Sequence, residues 1–194
     1  MLYLNQQKRP DLRYPTALDD PDNETFHNGT IKMAGCGLCS LCMMVDRLCE
    51  DEFTLHQAMD LSHAVGADRH VGTDLEIMIP AVCEMYDLTC EETDDAEKMV
   101  ACLKNGGCVV VNIGGDRPDY ESVFCYGGHY MTIISADEKN ELCVLDSWLT
   151  YDRIKKYEDE GRVRRKGNLL FCSLETMELE AADRSPSYFL FRRK

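Results

Sequence analysis

The sequence predicts an α+β fold, with helices in the first half of the chain and an antiparallel sheet in the second. Up to about residue 106, apolar residues recur at three- and four-residue spacing, the period of helices with one buried face. Short β-branched or aromatic runs follow, bounded by glycine, proline, Asp or Asn, which is typical of strands. The five runs are residues 108–113, 129–136, 141–147, 168–174 and 187–193. Helices followed by strands indicate a sheet packed against a helical half.

The first predicted helix begins at Cys36. Its apolar stripe consists of Leu38, Leu41, Cys42, Val45, Leu48 and Cys49. Because these side chains share one face, the helix is expected to lie in the core.

Three further helices are predicted from their capping signals. Thr54 with Gln57 forms a capping box, and Thr73 with Glu76 repeats the pattern before a second apolar stripe. The fourth helix lies within residues 94–107, begins with acidic residues and ends at a pair of glycines.

The chain length of 194 residues favours one domain over two separately cored ones. We predict a single domain over residues 1–194. It is divided into an N-terminal arm (1–34), a mainly helical half (35–106) and a mainly β half (107–194). The arm is polar and without periodicity, so it is expected to stay ordered only where it docks, close to the cleft.

Composition excludes several classes of partner. Lys plus Arg total 21 and Asp plus Glu total 35, giving a formal charge of −14, which argues against nucleic acid and anionic membranes as partners. There is no apolar run of the ~18–20 residues that a membrane helix needs, so a cytoplasmic location is expected. Eleven cysteines, an odd number, suggest mostly buried thiols in a reducing compartment. Nothing in the sequence indicates a cofactor, and it does not determine the oligomeric state.

The segment AGCGLCS places Cys36 between Gly35 and Gly37 at the expected first turn of a buried helix. Free N–H groups and the positive end of the helix dipole stabilise a thiolate there and lower its pKa. The flanking glycines leave room for a substrate carbonyl, and the backbone N–H of Cys36 could stabilise an oxyanion. A glycine-flanked core cysteine without chemical function is the alternative.

His129 and Asp146 are the candidate base and its orienting group. His129 follows two glycines and begins a predicted strand, while Asp146 ends the next strand. A hairpin turn at residues 137–140 would bring the start of one strand beside the end of the other. Asp146 could then accept the imidazole N–H and fix its tautomer, as the third member of a triad does. Taken singly, each residue could be purely structural.

The motifs GCG, GGH and DS in the order Cys, His, Asp resemble those of the papain-like cysteine peptidases. The chain looks most like the bacterial group related to double-glycine bacteriocin leader peptidases, and the likeness extends over nearly its whole length. It departs from that group at Leu38 and Ser147, where many relatives have proline. The resemblance implies an α+β papain-like fold and a thiol hydrolase that cleaves an amide bond in a peptide or small amide substrate. Catalysis would proceed through Cys36, His129, Asp146 and an acyl-enzyme.

The resemblance also implies a glutamine upstream of the cysteine, whose side chain completes the oxyanion hole. Gln6 and Gln7 are the two candidates. The following segment DLRY (11–14) resembles one found just after that glutamine in some relatives, and this favours Gln7. The alternative is that both glutamines belong to a frayed terminus.

Three other functions remain open on the sequence. A papain-superfamily acyl transferase would use the same triad and differ only in its acceptor, whereas an inactive papain-like binding module would not need a triad. The Cys39-x-x-Cys42 spacing could suggest zinc or a redox pair, but a closed zinc site needs four ligands and the chain has no second such motif. The sequence favours the hydrolase, without a metal.

Overall fold

The computed structural model describes residues 1–16, 29–69 and 71–194. Within these ranges a short 3-10 helix, Gln6–Lys8, precedes seven α-helices and seven strands. The helices are α1 (Ile31–Ala34), α2 (Cys36–Leu48), α3 (Leu55–Val65), α4 (Leu75–Met85), α5 (Ala96–Lys104), α6 (Tyr151–Asp159) and α7 (Leu174–Ala181). The strands are β1 (Leu88–Thr93), β2 (Cys108–Ile113), β3 (His129–Ala136), β4 (Leu142–Leu145), β5 (Arg164–Lys166), β6 (Leu169–Cys172) and β7 (Tyr188–Arg193).

The seven strands form one antiparallel sheet in the order β1-β7-β2-β3-β4-β6-β5. Helix α2 packs against β2 and β3, with α3 and α4 behind it. Helices α5 and α7 contact the same sheet, and the buried apolar residues divide into two clusters. The predicted α+β class is confirmed, with a sheet packed between helical layers.

Helix α2 is the buried helix that the apolar stripe predicts. Ten of its 13 residues are buried, so nearly the whole circumference is in contact with other elements. Thr132 of β3 donates a hydrogen bond from Oγ1 to the carbonyl of Ser40 at 3.0 Å. This bond fixes the helix against the strand that begins at His129.

The hairpin between β3 and β4 turns where the sequence predicts. The Asp137 carboxylate accepts backbone N–H bonds from Lys139 and Glu141 at 2.8 and 2.7 Å, and Asn140 adopts a left-handed φ of 62°. The register pairs Thr132 with Leu145. The beginning of β3 and the end of β4 therefore lie at the same edge of the sheet.

The N-cap of helix α4 lies one residue later than the sequence predicts. Asp74, not Thr73, is the N-cap, and its carboxylate accepts the N–H of Ile77 at 3.3 Å. The Thr73 hydroxyl instead pairs with that of Tyr14 at 2.8 Å. The expected capping box with Glu76 is wrong because Thr73 serves to bind the N-terminal arm.

Six regular elements were not predicted, among them the 3-10 helix and α1 inside the predicted arm. Strand β1 lies inside the predicted helical half and pairs with β7, and edge strand β5 pairs with β6. Helices α6 and α7 were also missed. In the described ranges no helix is long and apolar enough to cross a bilayer. Residues 17–28 of the predicted arm lie outside the described residues.

Candidate active site

Cys36 is the first residue of α2, directly after the N-cap Gly35. Its side chain is half-buried, and the backbone N–H groups of Tyr130 and Gly37 help to lower the pKa of its thiol. The first N–H groups of a helix have no acceptor within that helix, so they face whatever binds at this end. This position combines limited solvent access with several donors for a negative charge.

His129 is buried at the first position of β3. Its Nε2 lies 2.8 Å from Oδ1 of Asp146, and the ring lines the same cleft as Cys36. With Nε2 donating to the carboxylate, Nδ1 is the ring nitrogen left for the sulfur. The structure thus brings the three predicted site residues together in the order thiol, imidazole, carboxylate.

Asp146 is buried immediately after β4, and both its carboxylate and its backbone carbonyl are hydrogen-bonded. Besides the imidazole, its Oδ1 accepts the backbone N–H of Trp148 at 2.7 Å. Its own carbonyl accepts a hydrogen bond from the hydroxyl of Tyr3 at 2.9 Å. These bonds leave the carboxylate little freedom to turn away from His129.

The charges in the site favour an ion pair between Cys36 and His129. Burial would raise the pKa of the thiol, but the hydrogen bond and positive charge of His129, together with nearby N–H groups, lower it overall. Burial would lower the pKa of His129, but hydrogen bonds to Asp146 and Cys36 and their negative charges raise it to about 10. The arrangement therefore stabilises a thiolate beside an imidazolium.

The N-terminal arm docks beside this site, as predicted, for the part that is described. Gln6 donates its backbone N–H to the carbonyl of Ser147 at 2.9 Å, and Tyr3 reaches Asp146. The arm is thereby fixed to the residues that follow β4.

The structure does not place Gln7 at the cleft. Its Nε2 donates to the carbonyl of Trp148 at 2.9 Å and to Oγ1 of Thr150 at 3.2 Å. The side chain therefore serves to attach the arm. This corrects the sequence-based choice between the two glutamines.

Gln6 instead lines the cleft together with Cys36. It is 1% exposed, its Oε1 accepts from the hydroxyl of Ser147 at 2.7 Å, and its Nε2 donates to the carbonyl of Lys32 at 2.9 Å. One bond uses one of the two amide protons, so the other can be donated to a ligand.

The cleft itself has a volume of about 180 Å³. It is lined by Gln6, Met33, Cys36, Cys125, Tyr126, Gly127, Gly128, His129 and Trp148. A side chain at position 127 would point into open space, so glycine there widens the approach to His129. A larger cavity of about 550 Å³, near β5 and β6, has no histidine among its lining residues.

The remaining cysteines differ from Cys36 in their surroundings. Seven of the eleven are buried, and burial raises the pKa of Cys39 well above its ordinary value and that of Cys42 to about 12. Among the described residues no group of His, Cys, Asp and Glu is arranged to hold a metal ion. The Cys39-x-x-Cys42 spacing is that of two core residues on one helix.

Tyr3, Met33, Tyr126 and Trp148 are among the site residues that sequence reasoning missed. Trp148 carried a usable signal, since it is the sole tryptophan of the chain and follows Asp146 by two positions. The other three had no such signal.

Comparison with solved structures identifies the fold. The crystal structure of a "putative C39-like peptidase" from Bacillus anthracis matches with a TM-score of 0.54 at 12% identity, over 83% of this chain and 90% of that one. No protein-family model and no curated protein matches the sequence. The similarity shows an α+β papain-like fold.

Proposed function

We propose that the chain is a cysteine-peptidase-type thiol hydrolase that cleaves an amide bond in a peptide or small amide. The observation that carries the proposal is that His129 hydrogen-bonds to Asp146 and lines one cleft with Cys36, the first residue of a buried helix. A thiolate–imidazolium pair is a ready nucleophile with a proton donor beside it. A binding module has no need of this charge arrangement.

The reaction follows from these positions. The Cys36 thiolate attacks the amide carbonyl, and the imidazolium of His129 gives its proton to the leaving amine as the C–N bond breaks. Water then attacks the thioester with His129 as base, which releases the carboxylic acid and restores the thiol. Asp146 keeps the imidazole oriented and stabilises its positive charge throughout.

The oxyanion formed at each attack needs donors. We assign the backbone N–H of Cys36 and the second amide proton of Gln6 to this role, since both face the cleft. Removing one such donor typically lowers kcat by roughly 10²–10³. Gln6→Ala should show that loss, with Gln7→Ala as the control that also detaches part of the arm. Equal losses in both variants would assign the effect to the arm.

Competitive alkylation at mildly acidic pH, mapped by peptide mass spectrometry, tests the nucleophile directly. Cys36 should be modified ahead of the ten other cysteines, because its thiolate persists as the pH falls while theirs are protonated. Half-buried Cys49, whose pKa burial raises, is the internal control.

His129→Ala should remove both this selectivity and the hydrolysis of a quenched fluorogenic peptide library. His63→Ala is the matched control, because exposed His63 also pairs with an aspartate, Asp68, at 2.9 Å, but does not line the cleft that contains Cys36. Undiminished hydrolysis in His129→Ala would exclude the proposed base.

A further inference from the structure

Arg184 reaches the site from the loop between α7 and β7. The sheet register pairs Ile113 with His129, so Gly114 and Gly128 are the next residues beyond that pair. Nη2 of Arg184 lies 3.5 Å from the carbonyl oxygen of Gly114, which accepts its hydrogen bond. The same Nη2 is 2.7 Å from where a Cβ on residue 128 would stand. The guanidinium thus sits about one residue, ~3.3 Å along the strand, beyond His129.

This guanidinium has unused hydrogen-bonding capacity. Its Nε is buried without a hydrogen-bond partner, and the bond to Gly114 is long. The neighbouring Asp183 pairs instead with Arg117: Oδ1 of Asp183 lies 3.4 Å from Nη1 of Arg117. Across the ranges that the structure describes, Arg184 forms no ion pair. A guanidinium carries five donors in a fork that fits a carboxylate, and the Nη protons that Gly114 does not use are the ones a ligand could reach.

The Arg184 guanidinium lies beside Gly128, which lines the cleft with Cys36. The neighbouring cavity that Arg184 lines also contains Asp94, Glu178 and Asp183. Burial raises the pKa of Tyr130, the charge of Cys36 adds to the effect, and Arg184 opposes it. Tyr130 follows His129 directly, and Gly128 lines the cleft. The acidic groups that act on Tyr130, Asp74 and Glu76, would repel an anion from their own side.

We propose that Arg184 is a substrate-recognition residue that binds a carboxylate on the leaving-group side of the scissile amide. The inference rests on the proposed function, in which His129 protonates the leaving amine. Because the guanidinium lies one residue beyond His129, the leaving group is the part of the substrate closest to it. The carboxylate could be an acidic side chain or a free C-terminus, which present the same two oxygens to the fork.

The first test compares two alkylating reagents on Cys36, anionic iodoacetate and neutral iodoacetamide. Arg184→Gln should lower the ratio of the iodoacetate to the iodoacetamide rate by roughly fivefold, because a nearby positive charge is lost. Arg47→Gln is the control: it removes the same charge eleven residues along α2, ~16 Å from Cys36, and should leave the ratio within about twofold. An unchanged ratio in Arg184→Gln would overturn the inference.

The second test uses matched peptides. One pair differs only in a free or amidated C-terminus, and another only in Glu or Gln on the leaving-group side. Arg184→Gln should lower kcat/KM for the charged member of one pair by roughly 10–100-fold and spare its neutral partner, while Arg184→Lys keeps part of the preference. The pair affected identifies the source of the carboxylate. Equal losses for charged and neutral peptides would refute recognition.

The two proposals fail in different ways. Any accessible thiol reacts with both reagents, so the rate ratio can be measured even in protein that cleaves no peptide. A Cys36 that reacts no faster than Cys49 contradicts the hydrolase, whereas a ratio indifferent to Arg184 contradicts only the carboxylate site.

Discussion

The two walls of the cleft are held in place by different forces. The helix wall is α2, which carries Cys36 and is fixed by apolar packing, with Leu38, Leu41 and Met44 fully buried. The loop wall is residues 114–128, which lead into His129 and contain one isolated bridge, between Arg117 and Tyr120. The loop is fixed by buried polar groups that reach it from α6 and α7.

Glu180 of α7 is the anchor on one side of the loop wall. Its carboxylate is 0% exposed and accepts hydrogen bonds from the Tyr120 hydroxyl at 2.8 Å, the Val123 N–H at 2.7 Å and the Ser122 hydroxyl. One buried side chain thus satisfies three donors of a segment that has almost no regular structure.

Arg153 of α6 is the anchor on the other side. It donates to Asp116 at 2.7 Å and to the backbone carbonyls of Ser122, Val123 and Cys125. Its guanidinium also stacks over the ring of Tyr126 at 4.0 Å, at the cleft. The contrast teaches that Cys36 is held by non-directional contacts that tolerate repacking, and the loop leading to His129 by a polar network in which each member matters.

The largest expected effect comes from removing Glu180. Glu180→Ala leaves three donors of the loop without their acceptor, at ~1 kcal/mol or more each, so the free energy of unfolding should fall by about 3 kcal/mol. Denaturant titration measures it. A loss below ~1 kcal/mol would mean that the loop does not depend on this anchor.

Arg153→Lys should have the next largest effect, about 2 kcal/mol, because lysine keeps the charge but cannot serve four acceptors in a fork. The damage should be local. Amide hydrogen exchange should speed up over residues 116–126 and stay unchanged in α2. Arg164→Lys, at an exposed pair with Glu141, is the control and should alter neither region.

On the helix wall, Met44→Leu should cost less than ~1.5 kcal/mol, since the volume is nearly conserved and no polar partner is lost. Thermal and denaturant unfolding both report on it. A cost above that of Glu180→Ala would reverse the comparison of the two walls.

The smallest effect is a dependence of stability on pH that comes from Glu180, the anchor of the loop wall. Burial raises the pKa of Glu180 in the folded protein, although its hydrogen bonds act in the opposite direction. Its contribution is therefore complete below the unfolded pKa of ~4.3 and is lost as the pH rises through the folded pKa. Glu180→Gln cannot ionise, so its unfolding free energy relative to wild type should increase from pH 4 upward. A constant difference from pH 4 to 7 would contradict the raised pKa.

The sequence predicted the elements whose burial is periodic. Helix α2 has an apolar stripe, and the β3–β4 turn has residues that bond their own backbone, so both were found. Helix α6 was missed because it buries Arg153 beside Ile154 and Tyr157, which breaks the apolar pattern. Strands β1 and β5 lie at the sheet edges, where few side chains are buried.

The site residues also divide into those that local sequence patterns predict and those that depend on the folded chain. Cys36, His129 and Asp146 were predicted because glycines and strand ends mark them locally. Gln6 and Gln7 are adjacent on a 3-10 helix, where successive side chains point about 120° apart, and sequence motifs gave no orientation. Arg184 reaches Gly128, next to His129, from more than fifty positions away, which only the folded chain reveals.

The bonds between Gln6 and Ser147 join residues that are 141 positions apart. During synthesis at ~5–20 residues per second, the first partner therefore waits on the order of ten seconds for the second. Helix α2 is made long before His129, so the newly made Cys36 has no imidazole to lower its pKa and remains largely an ordinary thiol. Under the proposed function, reactivity would be acquired only when the end of β4 has emerged from the ribosome and the arm has docked on it. The order of translation would then keep Cys36 unreactive on an unfinished chain.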